Sequence, residues 1–511
     1  MDFQLTDEQA AIREAASRGE AGRVIAYAGT GKTSTLRVIA EARPRDRVLY
    51  LAFNKAIAQE AQEKMPAHVQ ARTTHSLAYD GTKAWRGARP LVNSWWRLKG
   101  DILRADSEAV EACRIYGRSL DHAFSAVAAT LSRFCNSADQ APSPHHVPRA
   151  VLDPVLAAAY RLEGAPTTDS AEQRLEEGVR RVLAQGAARV WEALLHHNDW
   201  PVTHDAYLKV WQLSHPRLPA DWVLFDEAQD AAPVQRDVVL RQCGTVWMVG
   251  DPHQAIYEWR GAIDALSHYP APAYPLSRSW RFGPAIADAA GAILDLWTVV
   301  PQLSGGGGPG AVLGEGLQDS DYAGVGERSR SAVLCRTNMG VLTQALASLD
   351  AGRAVAVTGG GESLAESLES AVALYYGGRA RHPDLRDFGG WQELELFSEA
   401  PGGEAWRPIV RRVREGADKA SRDAMRLRRE LVPESSASLV VSTAHRAKGR
   451  QWPWVTLGPD WTTFRRETGE VNETLARLWY VAMTRAETVL DLRAALGPWT
   501  DNWTTDTDSD T

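Results

Sequence analysis

The sequence is poor in residues that could cross-link a chain. It has only four cysteines, which are scattered without paired spacing, and this argues against a disulfide framework, a zinc site or an iron–sulfur cluster. It also lacks any apolar run of the ~18–20 residues that a membrane span needs. Its start, Met1-Asp2-Phe3-Gln4, has no signal-peptide character. We therefore expect a cytoplasmic protein that makes no use of a membrane.

Positive charge is also in short supply, because 57 basic residues face 64 acidic ones and the formal net charge is −7. A large enzyme can place a basic groove on an acidic body, so this balance neither indicates nor excludes a nucleic-acid partner. The chain is long, and it contains many tryptophans. Its 511 residues predict two to four domains, and its 19 tryptophans suggest stacking surfaces besides core positions.

Short apolar runs, each followed by a turn and then by helical periodicity, recur along the chain. This alternation predicts an α/β fold with parallel sheets, because strands buried on both faces are apolar throughout. Between about Ala78 and Trp200 the pattern becomes helical, which predicts a helical insertion. The runs that we assign to strands are Val24–Tyr27, Val48–Phe53, Trp222–Phe225, Val246–Val249, Ala332–Cys335 and Leu439–Ser442.

The first of these strands leads into a glycine-rich turn and then a helical pattern, in the order Ala26-Tyr27-Ala28-Gly29-Thr30-Gly31-Lys32-Thr33. Glycines let backbone N–H groups surround phosphate oxygens, and the helix N-terminus adds the positive end of its dipole. We predict that Lys32 reaches the β- and γ-phosphates of a nucleotide and that the Thr33 hydroxyl ligates Mg²⁺. The strict pattern has a glycine where this chain has Ala26.

A second strand, Trp222–Phe225, ends in the acidic pair Asp226-Glu227. We predict that Asp226 binds Mg²⁺ and that Glu227 acts as the general base on the attacking water. Such a pair standing alone is more often a helix N-cap. Together with the phosphate loop, it predicts nucleotide hydrolysis rather than nucleotide binding alone.

These two motifs resemble those of the UvrD/Rep/PcrA branch of superfamily 1 DNA helicases, and further motifs of that family follow in order. The resemblance implies an α/β fold of two RecA-like parallel-sheet motor domains with helical insertions, ATP and Mg²⁺ as cofactors, and DNA as the partner. The other segments that carry the resemblance are Leu5–Gln9, Phe53–Ala56, Thr73–Leu77, Val249–Gly261, Ser279–Phe282, Ser442–Gly449 and Leu478–Ala486.

The resemblance also implies roles for single residues. Gln9 would read adenine and Trp280 would stack on it. Gln254 would sense the γ-phosphate, which Arg281 and the arginine finger Arg485 would contact. The whole implied nucleotide site is Gln9, Ala28, Gly29, Thr30, Gly31, Lys32, Thr33, Trp280, Arg281, Gln451 and Arg485. The residues implied to contact DNA are Phe53, Asn54, Lys55, Thr74, His75, Tyr257, Trp259, Arg260 and His445.

Several positions depart from the family pattern. Gln451 stands where the family has a glutamate, so it can bond a ribose hydroxyl but brings no charge. Phe53 directly precedes Asn54, and together with Pro201–Tyr207 this is closer to the F-box DNA helicase subgroup. The region after Gly360 is short for the family's second insertion and rich in arginine. Its arginines indicate either a solvated helix face or a contact with duplex DNA or a partner.

The predicted organisation follows from these motifs. The adjacent histidines His145-His146 and His196-His197 lack a carboxylate or cysteine at ligand spacing, so we expect them to be structural. We divide the chain into a first motor domain (1–77 and 201–285), a helical insertion (78–200), a second motor domain (286–360 and 436–497), a reduced helical insertion (361–435) and a disordered acidic tail (498–511).

The motifs together predict an ATP-dependent helicase that moves along single-stranded DNA, 3′ to 5′ by the resemblance, and unwinds duplex DNA in repair, recombination or replication. It would be nucleoid-associated when bound to DNA. Two other hypotheses stay open. One is a translocase that strips proteins from DNA with little unwinding, and the other is a nucleotide-gated regulatory subunit of a defence or nuclease complex. RNA in place of DNA as the track is also open.

Overall fold

The computed structural model describes residues 4–92, 95–98, 120–163, 168–242, 244–256, 266, 268–296, 302–314, 331–382, 385–386, 388–399, 406–465 and 468–496. The chain divides into two compact units. The first unit comprises Met1–Ala26 and Lys32–Leu276, and the second comprises Tyr27–Gly31 and Ser277–Thr511. Among the described residues, no helix is both long and apolar enough to cross a lipid bilayer.

The first unit is built on a six-stranded sheet in the order β3-β2-β6-β7-β1-β8, and all its strand pairs are parallel. A two-stranded parallel pair, β4 with β5, lies apart from it. The strands are β1 (Gly22–Ala26), β2 (Val48–Ala52), β3 (Val69–Thr73), β4 (Leu91–Val92), β5 (Val202–Thr203), β6 (Trp222–Phe225), β7 (Thr245–Gly250) and β8 (Ala273–Leu276).

The described helices of this unit include the long helices of the predicted insertion, α6 to α8. They are α1 (Asp7–Ser17), α2 (Lys32–Glu41), α3 (Lys55–Lys64), α4 (Thr74–Gly81), α5 (Lys83–Arg86), α6 (Leu120–Asn136), α7 (Arg149–Glu163), α8 (Asp169–His196), α9 (His204–Leu213) and α10 (Pro233–Leu240).

The sheet of the first unit is covered on both faces. Strand β6 shows this, since Trp222 and Leu224 enter one apolar cluster with helices α1 and α2. The alternate residues Val223 and Phe225 enter a second cluster, which also contains residues of α6, α8 and α9. Side chains of a strand alternate between faces, so two clusters mean two buried faces. The helical insertion therefore shares a core with the first sheet.

The second unit has its own six-stranded parallel sheet, in the order β11-β16-β15-β12-β14-β13, and a short pair of β9 with β10. The strands are β9 (Arg278–Ser279), β10 (Ser304–Gly305), β11 (Ala311–Leu313), β12 (Ser331–Cys335), β13 (Val355–Val357), β14 (Leu439–Thr443), β15 (Trp452–Leu457) and β16 (Ala486–Asp491).

The described helices of the second unit surround this sheet, and those between residues 362 and 430 pack on its core. They are α11 (Pro284–Leu294), α12 (Asn338–Asp350), α13 (Glu362–Tyr375), α14 (Trp391–Glu399), α15 (Arg407–Glu415), α16 (Ala417–Glu430), α17 (Ala444–Ala447), α18 (Glu473–Met483) and α19 (Arg493–Leu496). Two parallel sheets with helices confirm the predicted α/β fold class.

Candidate nucleotide site and nucleic-acid contacts

The predicted phosphate lysine and the predicted general base form an ion pair in the first unit. Lys32 begins α2, and its Nζ lies 3.0 Å from Oε1 of Glu227. Glu227 follows β6 with a φ of +51°, in the left-handed region that costs an ordinary residue about 1–3 kcal/mol. Burial lowers the pKa of Lys32, but the carboxylates of Glu227, Asp251 and Asp226 outweigh it and raise this pKa overall.

Both oxygens of the predicted metal ligand Asp226 are held by neighbours. The backbone N–H of Glu227 donates to Oδ1 at 2.9 Å, and the hydroxyl of Tyr50 on β2 donates to Oδ2. Burial, and then the neighbouring Glu227 carboxylate, raise the pKa of Asp226 to about 6. Sequence reasoning missed Tyr50. The available signal was a tyrosine in a wholly buried strand, because its hydroxyl must find a partner.

A line of hydrogen bonds runs from this pair to the predicted phosphate sensor Gln254. The amide of Gln229 donates to Oε2 of Glu227 at 2.5 Å and accepts the backbone N–H of Asp251 at 3.1 Å. The carboxylate of Asp251 then accepts a bond of 2.7 Å from the Gln254 amide. Gln229 and Asp251 are fully buried and had no predicted role. The ends of β6 and β7 are thereby connected through side chains.

Gln9, the predicted adenine reader, is buried at the start of α1. It closes a capping box with Thr6, whose backbone N–H it binds at 3.2 Å. Its amide nitrogen donates to the hydroxyl of Thr35 on α2 at 3.2 Å. The predicted metal ligand Thr33 is exposed in the first turn of the same helix. Gln9 therefore fixes α1 against the helix that starts at the phosphate lysine.

The rest of the phosphate loop, Tyr27–Gly31, belongs to the second unit. The backbone N–H of Ala28 donates to the hydroxyl of Tyr480 at 3.1 Å, and the carbonyl of Gly29 accepts the N–H of Trp280 at 2.8 Å. The Thr30 hydroxyl donates to the Tyr27 carbonyl at 2.8 Å. The loop is therefore held by residues of the segments Ser279–Phe282 and Leu478–Ala486.

Two loop glycines have positive φ, +77° at Gly29 and +86° at Gly31. A Cβ on Gly29 would also lie 2.6 Å from the Cβ of Arg281 and 2.6 Å from Oγ of Ser279. Both the backbone conformation and the close approach therefore require glycine at position 29. Arg281 packs directly against the phosphate loop.

The two predicted phosphate arginines lie near each other in the second unit. Arg281 donates from Nε to Oε1 of Gln451 at 2.8 Å and from Nη1 to the carbonyl of Thr484 at 2.8 Å. Arg485 is the next residue after Thr484, and its side chain is only 1% exposed. Its Nε donates to the carbonyl of Val481 at 2.9 Å. At Gln451, where the family has a glutamate, Arg281 thus meets a neutral amide rather than a carboxylate.

Trp280, the predicted adenine-stacking residue, is 51% exposed. The guanidinium of Arg278 lies over its ring, 4.6 Å from the centroid. A cation over one face is a favourable arrangement for tryptophan. The side chain is thus a large aromatic surface held next to Arg281.

The predicted DNA contacts of the first unit lie where β2 and β3 end. Phe53, Asn54 and Lys55 are exposed after β2, and the Asn54 side chain caps α3 by accepting the N–H of Ile57 at 2.9 Å. Thr74 is buried after β3, and its hydroxyl accepts a bond of 2.6 Å from Gln235. Because β2 and β3 are adjacent and parallel, their ends share one edge of the sheet.

The other predicted DNA contacts are only partly covered by the structure. His75, next to Thr74, is half-buried, and burial lowers the pKa of its imidazole, which keeps the ring neutral at pH 7. His445 is half-buried in the first turn of α17, after β14 of the second unit. Tyr257, Trp259 and Arg260 lie outside the described residues, as does the predicted tail.

The arginine-rich region of the second unit is extensively ion-paired. Arg411 pairs with Glu415 and Arg414 with Glu395, and the pairing of Arg412 with Asp423 is partly buried. Arg426 pairs with Asp350 and Glu430, and Arg428 with Glu362 and Glu369. Neutralised arginines contribute little to phosphate binding. This pairing favours the interpretation of a solvated, salt-bridged helix face.

Asp139 lies beside the adjacent histidines of the insertion, a neighbour that sequence spacing had not indicated. Nε2 of His145 is 2.7 Å and Nε2 of His146 is 3.0 Å from Oδ2 of Asp139. Nδ1 of His146 accepts the backbone N–H of Ser143 at 3.0 Å. The proton of a neutral His146 ring is therefore on Nε2, where it donates rather than ligates a metal. These contacts form a structural hydrogen-bond network.

The fold and the site define a class before any comparison is made. The structure has the parts of a P-loop nucleoside-triphosphate-binding protein. These are parallel-sheet units, a glycine-rich loop after β1, a lysine at the start of the next helix and an acidic pair after another strand.

Comparisons with known proteins narrow this class. An AAA domain family matches residues 8–260. F-box DNA helicase protein 1 of Schizosaccharomyces pombe (strain 972 / ATCC 24843) is 28% identical over 522 residues, covering 94% of this chain and 56% of that protein. F-box DNA helicase 1 of Gallus gallus is 33% identical over 327 residues, covering 61% of this chain and 30% of that protein. The chain thus spans about half the length of the first relative and less of the second.

These matches confirm the resemblance drawn from the sequence. By these matches the chain resembles UvrD/Rep-like superfamily 1 helicases, and it is similar to the F-box DNA helicases.

Proposed function

We propose that the protein is an ATP-hydrolysing motor that moves along single-stranded DNA, 3′ to 5′, and unwinds duplex DNA. The observation that carries the proposal is the line of contacts Lys32–Glu227–Gln229–Asp251–Gln254 in the first unit. It joins the residues to which we assign the roles of phosphate-binding lysine, general base and γ-phosphate sensor. The similarity to proteins named DNA helicases supports the choice of DNA as the track. We place the protein in the cytoplasm, associated with the nucleoid when it is bound to DNA.

The acidic groups around Lys32 suit Mg²⁺. The carboxylates of Asp226, Glu227 and Asp251 all raise the pKa of Lys32, and burial, followed by the Glu227 carboxylate, raises the pKa of Asp226. Asp226 and the Thr33 hydroxyl would hold the ion by oxygen, which Mg²⁺ prefers. When bound, Mg²⁺ supplies charge neutralisation on the transferring phosphoryl group.

The protein's own groups then have distinct roles in hydrolysis. A nucleotide phosphate competes with Glu227 for Lys32, and Glu227 is released to accept a proton from the attacking water. Arg281 and Arg485 present positive charge to the equatorial phosphate oxygens, and the loop Ala28–Gly31 offers backbone N–H groups to phosphate. In the first unit we assign Gln9 to adenine recognition. In the second unit we assign Trp280 to adenine stacking and Gln451 to the ribose.

Movement along DNA requires contacts that do not read base identity. Phe53 offers an exposed aromatic face and Lys55 an exposed cation at the edge of the first sheet. Asn54, Thr74, His75 and His445 also follow strands, and we assign the same role to Tyr257, Trp259 and Arg260. Stacking and phosphate contacts of this kind hold a single strand without sequence preference.

The test of this function is ATP hydrolysis measured with single-stranded DNA, with single-stranded RNA and with neither, beside strand displacement on 3′- and 5′-tailed duplexes. We expect DNA to stimulate hydrolysis and the 3′-tailed duplex to be unwound. Hydrolysis that ignores nucleic acid would overturn the proposal and favour a nucleotide-gated subunit. Stimulation without displacement would instead favour a protein-stripping translocase, and stimulation by RNA alone would change the track.

Tyr50 is expected to tune the Mg²⁺ requirement of hydrolysis. Its hydroxyl stabilises the ionised form of Asp226, so Tyr50→Phe raises the pKa of Asp226 above about 6. A proton then competes with Mg²⁺ near neutral pH. We expect the Mg²⁺ concentration for half-maximal hydrolysis to rise about tenfold, the scale of one charge-assisted hydrogen bond. The increase should be larger at pH 6 than at pH 8, because Asp226 is ionised at the higher pH.

The matched control for this substitution is Tyr274→Phe on β8 of the same sheet, where the ring lies 5.4 Å from Trp247. Its Mg²⁺ requirement should equal that of the unmodified protein. A Tyr50→Phe protein with lowered thermal stability but an unchanged Mg²⁺ requirement at both pH values would show that Tyr50 only packs.

A further inference from the structure

An exposed tyrosine lies one helical turn beyond a predicted DNA contact. Tyr79 on α4 is 37% exposed and is one of the few exposed large aromatic side chains among the described residues. It stands four residues after His75, so the two side chains share a face of the helix. Both rings meet Tyr207 of α9 edge to face, at centroid distances of 6.1 Å for His75 and 5.8 Å for Tyr79. The three rings form a continuous aromatic row.

The ring of Tyr79 is supported from behind by a cation. The guanidinium of Arg86, on α5, lies 3.7 Å from the ring centroid. This contact fixes the plane of the tyrosine ring and draws positive charge to it. A ring fixed in this way loses little conformational freedom when a second planar group stacks on it.

Arg86 is itself unusual. It is only 8% exposed, yet its Nε is buried without a hydrogen-bond partner. Among the described residues, its guanidinium makes one hydrogen bond, from Nη1 to the carbonyl of Gly87 at 3.5 Å, and no carboxylate of these residues is within ion-pair distance of it. Burying a cation is costly unless it is compensated. Here the aromatic ring compensates the charge, and no acidic side chain of the described residues pairs with it. A surface that binds a polyanion requires such an unneutralised cation.

We propose that Tyr79 is a base-stacking residue for single-stranded DNA and that Arg86 is its positioning residue. The strand passes from the end of β3 at His75 along α4 to Tyr79, where a base stacks on the exposed part of the ring. This inference rests on the proposed function, because it extends the DNA path of that function. Stacking on an aromatic ring tolerates every base, as a moving enzyme needs.

The test is the affinity for a fluorescent oligothymidine strand, measured by anisotropy with unmodified protein, Tyr79→Leu, Tyr79→Phe and Tyr79→Trp. Loss of one stacked base costs about 1–3 kcal/mol, so Tyr79→Leu should bind about five- to 150-fold more weakly. Tyr79→Phe and Tyr79→Trp should bind as the unmodified protein does, because both keep a planar ring. The control Tyr376→Leu removes a tyrosine that is 64% exposed on the second unit, and its affinity should not change.

Two further readouts separate stacking from other effects. On a strand that carries abasic sites, Tyr79→Leu and unmodified protein should bind equally, since no base is left to stack. The salt dependence should be the same for both proteins, because no phosphate contact is removed. If Tyr79→Leu binds the intact strand as tightly as the unmodified protein does, the inference is overturned. The aromatic row of His75, Tyr207 and Tyr79 would then be a contact surface for a protein partner. The inference would also be overturned if Tyr79→Phe bound the strand as weakly as Tyr79→Leu does. If the unmodified protein does not bind the strand at all, that result contradicts the proposed function itself.

Discussion

Replacing Glu227 by glutamine is expected to slow ATP hydrolysis by about 10²–10⁴-fold, the usual contribution of a positioned general base. The amide keeps the size of the side chain but cannot accept a proton from water. Nucleotide binding should persist and even tighten. Glu227 is the ion-pair partner of Lys32, and without that pair Lys32 is available to phosphate.

The measurement is single-turnover hydrolysis together with the dissociation constant of ATP, for Glu227→Gln and for a control, Glu60→Gln. Glu60 lies on α3 and pairs with Lys64 on the surface, so its replacement should leave both values unchanged. The left-handed backbone at Glu227 is compatible with glutamine as well as with glutamate, so thermal stability should fall little. Near-normal turnover in Glu227→Gln would remove this residue from the role of base.

Much of the fold could be predicted because local pattern decides it. Strands β1, β2, β6, β7, β12 and β14 occur where apolar runs predicted them, with ends shifted by a residue or two. The order of the strands in each sheet could not be read in the same way. It depends on which strands pair across long sequence separations, as in β1 with β7, and no short-range periodicity encodes that pairing.

The candidate nucleotide site likewise has parts that local sequence predicts and parts that depend on strand order. A glycine-rich turn between strand and helix, with Lys32 at its end, is a local signal, and the phosphate loop was predicted from it. The contact between Tyr50 and Asp226 joins residues 176 positions apart, and the role of Gln229 depends on Asp251 of the neighbouring strand. These partners become visible only when the sheet order is known. Likewise, the sequence could not show that Asn54 caps a helix or that Asp139 lies beside His145.

Replacing Arg485 by lysine is expected to lower the rate of ATP hydrolysis by about 10³-fold or more, as removal of an arginine finger does in P-loop enzymes. The side chain is 1% exposed, and its flat guanidinium makes several bonds at once. Nε reaches the carbonyl of Val481, Nη2 the hydroxyl of Thr484 at 3.1 Å, and Nη1 the carbonyl of Arg450 at 3.3 Å. The ammonium group of lysine keeps the positive charge but cannot make these several hydrogen bonds at once.

These contacts raise a second explanation, since a buried arginine bonded to carbonyls could serve stability alone. The two roles differ in what they change. A structural role would lower the melting temperature of Arg485→Lys while the rate per folded molecule stayed normal, and that result would contradict the assignment. A catalytic role would lower the single-turnover rate at temperatures where the variant is folded. Arg450→Lys is the matched control, because that side chain pairs with half-exposed Glu434 and its loss should leave the rate unchanged. We expect the rate to fall only for Arg485, because bonds that hold its guanidinium before the nucleotide arrives reduce the reorganisation needed in the transition state.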